Sequence, residues 1–298
     1  MKGRVKSPSL AFAAAVVVLL ISVFGFFPLA IELLSGIQSV DAGRHTTLFV
    51  HNDAASVAWR MTVVVIAAVA VACFVGRYFL GAPSIALLAI GWIFLAMPFS
   101  FARIDELVRT VPTMADLGGI RQLLIWEAVI FALIGLFVAA IATSGKTLGE
   151  AKVTWSKRSY LSGLIILFAS VLIVMVVART TLAGQGVAAA MIATIAGVAA
   201  ARILAWRAHT MIFVLAVMGM PVLSAVAALA IPQSEWLARA FGGGLPAFAN
   251  MMPWDWLAGG IPGVALGEWW AVSLVSGAHK SETRGDGPVA VGPAGLDA

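Results

Sequence analysis

WDWLAGGIPGVALGEWWAVSLVS, Trp254 to Ser276, is the stretch whose reading decides how often this chain crosses a membrane. Gly259, Gly263 and Gly267 recur at every fourth residue, a spacing that puts all three on one helical face and lets a neighbouring backbone approach closely. Trp254 and Trp256 stand at one end and Trp269 and Trp270 at the other, as indoles do at the two bilayer interfaces. Pro262 interrupts the middle, and Glu268 places a carboxylate toward the far end. The stretch either crosses completely or, broken at its glycines and proline, dips in and returns.

Composition makes membrane embedding the premise for that choice. The 298 residues are 61% hydrophobic and only 11% charged, with a mean hydropathy of +1.01, whereas a water-soluble domain carries about 25% charged residues. The formal charge of +5 comes from basic residues scattered singly at the ends of apolar runs. That pattern orients a chain in a bilayer and offers no phosphate-binding stripe, so nucleic acid is not an expected partner. Cys73 is the single cysteine and lies in an apolar run, which excludes an internal disulfide and a thiolate cluster.

Working outward, the chain divides into apolar runs long enough to span, at about 20 residues each. They fall near residues 10–34, 57–75, 82–101, 123–143, 161–178, 182–204 and 211–231, with 254–276 as the last. The expected fold is an all-α polytopic transmembrane helical bundle of about eight spans, a single domain over 1–276, followed by a polar, Gly/Pro-rich disordered tail at 277–298. Two short amphipathic helices are expected on the membrane surface. One is built on Phe101, Ile104, Leu107, Val108 and Val111, with Asp105 and Arg109 one turn apart; the other on Trp236, Leu237, Ala240 and Phe241. The loop at 35–57 carries His45, His51 and Asp53 without the tight spacing of a metal site, and neither a metal nor a cofactor is expected.

The basic residues choose an orientation. Eight spans with the N terminus inside put twelve Lys and Arg in the cytoplasm, every lysine among them, against seven outside; a re-entrant last stretch lowers the contrast to ten against nine. The expectation is a complete last crossing in a bacterial-type inner or plasma membrane, both termini cytoplasmic.

Few groups could carry chemistry. Glu127 and Arg179 fall near the outer ends of consecutive antiparallel helices, where they form either a structural ion pair or a proton or cation site. Glu268 and Arg202 lie at similar depth on the cytoplasmic side and pair if the sixth and eighth helices meet; otherwise each reaches toward the headgroups. Asp255 follows Pro253 and fits a helix-start cap. Ala189, Ala193, Gly197 and Ala201 make a small-residue seam on the sixth span, matched to the glycine face of the last.

No nucleotide loop, H-E-x-x-H helix or G-x-S-x-G elbow occurs, so an enzyme is the weaker expectation. The broken last span, the mid-span Pro221 and the sparse carboxylates point to a small transporter or permease-type subunit. The alternative is a structural or assembly subunit, its small-residue faces meeting other subunits or a second copy within the lipid bilayer. A lipid-acting membrane enzyme using Glu127 or Asp255 is third.

Overall fold

The computed structural model describes residues 8–35, 47, 54–78, 83–110, 114–144, 157–178, 182–205, 208–242 and 244–284. Lipid leaves no water to satisfy backbone groups, so apolar runs of this length fold as helices. Helix α1 occupies 8–35 and α2 54–78. Pro83–Phe94 is α3, Ala96–Ser100 α4, Ile104–Thr110 α5 and Met114–Thr143 α6. Lys157–Val177 is α7, Ala183–Leu204 α8, Thr210–Leu229 α9 and Gln233–Gly242 α10, and α11 occupies 253–284. The chain is an all-α polytopic bundle in which seven helices, among the described residues, are long and apolar enough to cross a membrane.

The last helix is not one of those seven, and its surroundings explain its lower hydropathy. Every residue from Met251 to Ala265 is buried within the protein, so α11 meets other helices where the outer spans meet lipid. Its glycines set its direction. A Cβ on Gly263 would stand 2.8 Å from the Thr194 Cβ and 3.0 Å from the Met191 carbonyl oxygen, and one on Gly267 would stand 2.8 Å from both the Ile195 oxygen and the Val198 Cβ. Gly259 rests as closely on Val187, Ala190 and Met191. Residue numbers rise together on the two helices, so α8 and α11 run parallel. The contacts extend from Gly186 beside Asp255 to Arg202 beside Glu268. At 1.5 Å per residue α8 is about 33 Å long, and α11 accompanies it without reversing.

The expected partner of the glycine face is therefore present, but on a different face of α8. Gly197 packs on Ile166 of α7, where a Cβ would stand 3.3 Å from the Ile166 Cα. Ala189, Ala193 and Ala201 are buried, while α11 lies on the neighbouring stripe of Ala190, Thr194 and Val198. Small residues permit close approach but do not say which of two neighbours takes it. On the far side of α11, Gly91 of α3 receives Pro262, 2.5 Å from where its Cβ would be.

Two of the three π-turns among the described residues precede a proline; the third, Ala72–Tyr78, does not. Proline lacks an N–H and crowds the carbonyl four residues back. A π-turn, with its i→i+5 bonds, lets the backbone step past such a residue. One π-turn, Ser22–Phe26, precedes Pro28 and another, Trp256–Gly260, precedes Pro262. The helix at 253–284 carries this π-turn and is not ended by it; it continues past Ser276 to Arg284.

Two expectations are corrected at the end of the bundle where α11 begins. Trp254 and Trp256 are 0% exposed and are not interfacial. Trp254 packs against Phe101 at 5.1 Å and Phe131 at 5.9 Å, and Trp256 against Phe248 at 6.5 Å. Trp269 and Trp270 are exposed. The short helices α5 and α10 pack on each other, with Arg103 and Trp236 buried, so part of their apolar surface meets protein where lipid is expected. Arg109's side chain and the residues His45, His51 and Asp53 lie outside the described residues, as does the tail from 285.

Candidate functional site

The central helix carries an ion pair near each end of its buried length. At its first turn Asp255 is fully enclosed, and the Nη1 of Arg103 donates to both its oxygens, at 2.8 and 2.7 Å. The Met252 N–H donates to Oδ2 at 3.0 Å, so this carboxylate also closes the helix start. Gly186 of α8 makes room: a Cβ there would be 2.6 Å from Oδ2. Arg103 is held in turn, its backbone N–H donating to Glu106 Oε2 at 2.7 Å. A buried charge without a partner would be costly. Here two contacts from one guanidinium nitrogen, a backbone amide and a neighbouring aromatic cluster enclose the pair together.

At the other end Arg202 and Glu268 are joined through Nη2 and Oε1, their side chains 15% and 13% exposed. The Thr210 hydroxyl donates to the same Oε1 at 2.7 Å. Arg202 also donates to the Ala208 carbonyl and lies over the Phe213 ring at 4.9 Å. His209 starts α9, its Nδ1 accepting the Met211 N–H at 3.1 Å. That imidazole is pushed below its ordinary range by burial, with Glu268 opposing the shift and Arg202 adding to it. The network ties three helices, α8, α9 and α11, at one level.

Between these pairs lies the π-turn. Gly260 faces Val217 and Thr194, and the Thr194 hydroxyl is buried without a hydrogen-bond partner. A polar atom without a partner therefore lies beside the π-turn.

The structure brings Arg202 and Glu268 together and gives Asp255 its cap, but it also joins Asp255 to Arg103, a partner the sequence does not suggest. The pattern around Arg103 reads as an amphipathic surface helix, which places its charge in water. Glu127 is fully buried on the inward face of α6 with Leu124 and Phe131, deeper than expected because α6 already begins at Met114. Arg179, its expected partner, lies outside the described residues. No group of three or more His, Cys, Asp or Glu that could hold a metal occurs among the described residues. No family model, curated protein or solved structure matches the chain.

Proposed function

We propose that this chain is a small transporter or permease-type membrane protein whose moving part is α11, described here closed at both ends. The observation that carries this reading is that one helix combines an interior break, at 256–262, with an ion pair near each end made to a different neighbour. Releasing Arg103–Asp255 frees one half of the helix, and releasing Arg202–Glu268 the other, with the π-turn as hinge; alternating exposure of a mid-membrane site needs such an arrangement. The Asp255 end faces outward, and both termini are cytoplasmic, in a bacterial-type inner membrane.

A second reading, an assembly subunit in which α11 only fills the core, is favoured by close packing. The cavity near Arg121 has a volume of only about 20 Å³, which would admit no organic solute. Side-specific thiol labelling separates the two. In a Cys73→Ser background, Ala258→Cys sits at the buried π-turn. Adding Arg103→Gln should open it to an impermeant reagent from the Asp255 side, and Arg202→Gln from the Glu268 side. A cysteine that resists the reagent from both sides in both variants favours the assembly subunit.

A further inference from the structure

We propose that the cavity between α6 and α10 is a binding site for a monatomic anion of chloride size. Its lining includes Ile104, Arg121, Ser224, Trp236, Met251 and Pro253, and its volume is about 20 Å³, room for one water-sized occupant. Arg121 is 8% exposed. No carboxylate stands within ion-pair distance of it among the described residues. A buried cation ordinarily has an anionic partner. Here the charge is answered only by two carbonyls at the end of α9, those of Ala228 and Ile231, which accept from Nη2 at 2.7 and 2.8 Å.

Two donors on the cavity's own residues remain unused. Arg121 Nε and Trp236 Nε1 are both buried without a hydrogen-bond partner, and the guanidinium lies 5.5 Å from the indole ring. The Ser224 hydroxyl is turned to the Phe248 and Met251 carbonyls, at 2.6 and 3.0 Å. A water could accept from both nitrogens and place its hydrogens on the remaining lone pairs of Ser224 Oγ or the lining carbonyls, but it would leave the guanidinium charge without a counter-ion. An anion needs donors only and supplies the missing charge. Charge therefore selects an anion, and size limits it to a halide. The cavity lies at the Asp255 end, apart from the π-turn, and its occupancy does not depend on whether the chain transports a solute.

The test is thermal unfolding of the purified full chain in detergent, with chloride or bromide replacing gluconate at constant ionic strength. Gluconate is too large for the cavity. A ligand at free concentration c that binds the folded state raises the unfolding temperature in step with RT ln(1 + c/Kd), so the rise sets in near Kd and continues with the logarithm of concentration. The expected result is such a rise with either halide, the Kd fitted to it increased about tenfold or more in Trp236→Phe, which removes one donor to a charged ligand and keeps the aromatic ring. Arg121→Lys, which keeps the charge and loses the planar Nε, should also weaken the halide response. Equal unfolding temperatures in halide and gluconate would mean that the cavity holds water alone and would overturn the proposal. So would a halide response that Trp236→Phe leaves unchanged.

Discussion

Replacing Gly259 by alanine should destabilise the bundle more than the same change at any other glycine of α11's seam, and the structure sets the order. At Gly259 the added methyl would meet the Val187 carbonyl oxygen well inside contact distance and the Met191 nitrogen at 3.0 Å. Both are backbone atoms, so α8 as a whole must move. Gly267 follows, with the Ile195 oxygen at 2.8 Å, then Gly263, where the Thr194 Cβ is at 2.8 Å but the nearest backbone atom is at 3.0 Å. At Gly119 of α6 nothing lies within 4 Å. Overpacking a close interface costs about 1–3 kcal/mol and occasionally more, against up to about 1 kcal/mol gained from alanine's better helix propensity. Gly119→Ala should thus be neutral or stabilising by up to about 1 kcal/mol, and Gly259→Ala destabilising by about 2 kcal/mol or more, with the other two between. Unfolding free energies of the four variants, measured in one detergent or bicelle by steric trapping, give the ranking. If Gly259→Ala is tolerated as well as Gly119→Ala, the close parallel packing of α8 and α11 is refuted.

Three further outcomes follow from the ion pairs and the imidazole. Arg103→Gln or Asp255→Asn alone should cost about 3–5 kcal/mol, because each leaves a buried group without its partner. Replacing both by apolar residues should recover much of the loss in the same unfolding assay, and a double variant as unstable as the sum of the singles would contradict this. A double-mutant cycle on Arg202 and Glu268 should give a coupling of order 1 kcal/mol or more; additivity would mean that the contact contributes nothing. His209 holds its proton less readily in the folded protein than in the unfolded chain. Above its unfolded value, about 6.5, both states are neutral and it has no effect; as pH falls below that, the unfolded chain takes the proton first and stability drops until the lower folded value is passed. Melting curves at pH 7.5 and 5.5 should show that loss in the wild type, with a smaller loss in His209→Asn, which keeps a capping side chain and does not titrate. Equal losses in both would rule out His209 as the cause.

The helices were legible because the signal for a span is a one-dimensional run of apolar residues, and such runs match these helices within a few residues except at the start of α6, which begins at Met114, and the end of α11, which reaches Arg284. The meeting of Arg202 and Glu268 was legible for a related reason: in a bilayer, depth along two helices is readable from sequence, and two opposite charges at one depth on helices with small-residue faces have few other partners. Depth says nothing about azimuth. The stripe of α8 that receives α11 was therefore misassigned by one face, and Gly197 turned out to serve α7. The packing of α5 on α10 was unreadable for a third reason. An amphipathic segment such as Ile104–Thr110 has the same periodicity whether its apolar side meets lipid or protein, so Arg103 looked solvated when it is buried against Asp255. Trp254 and Trp256 misled in the same way, since an indole near a span end suits an interface and a protein core equally.

The central claim is that α11 crosses the bilayer completely beside α8. In a Cys73→Ser background, Gly244→Cys marks the approach to α11, Gly184→Cys the start of α8, and Lys280→Cys the far end of α11. Impermeant thiol labelling of intact cells and of inverted vesicles should modify Gly244→Cys and Gly184→Cys from one face of the membrane and Lys280→Cys from the other. Modification of Gly244→Cys and Lys280→Cys from the same face would mean that the helix turns back, and the account would be contradicted.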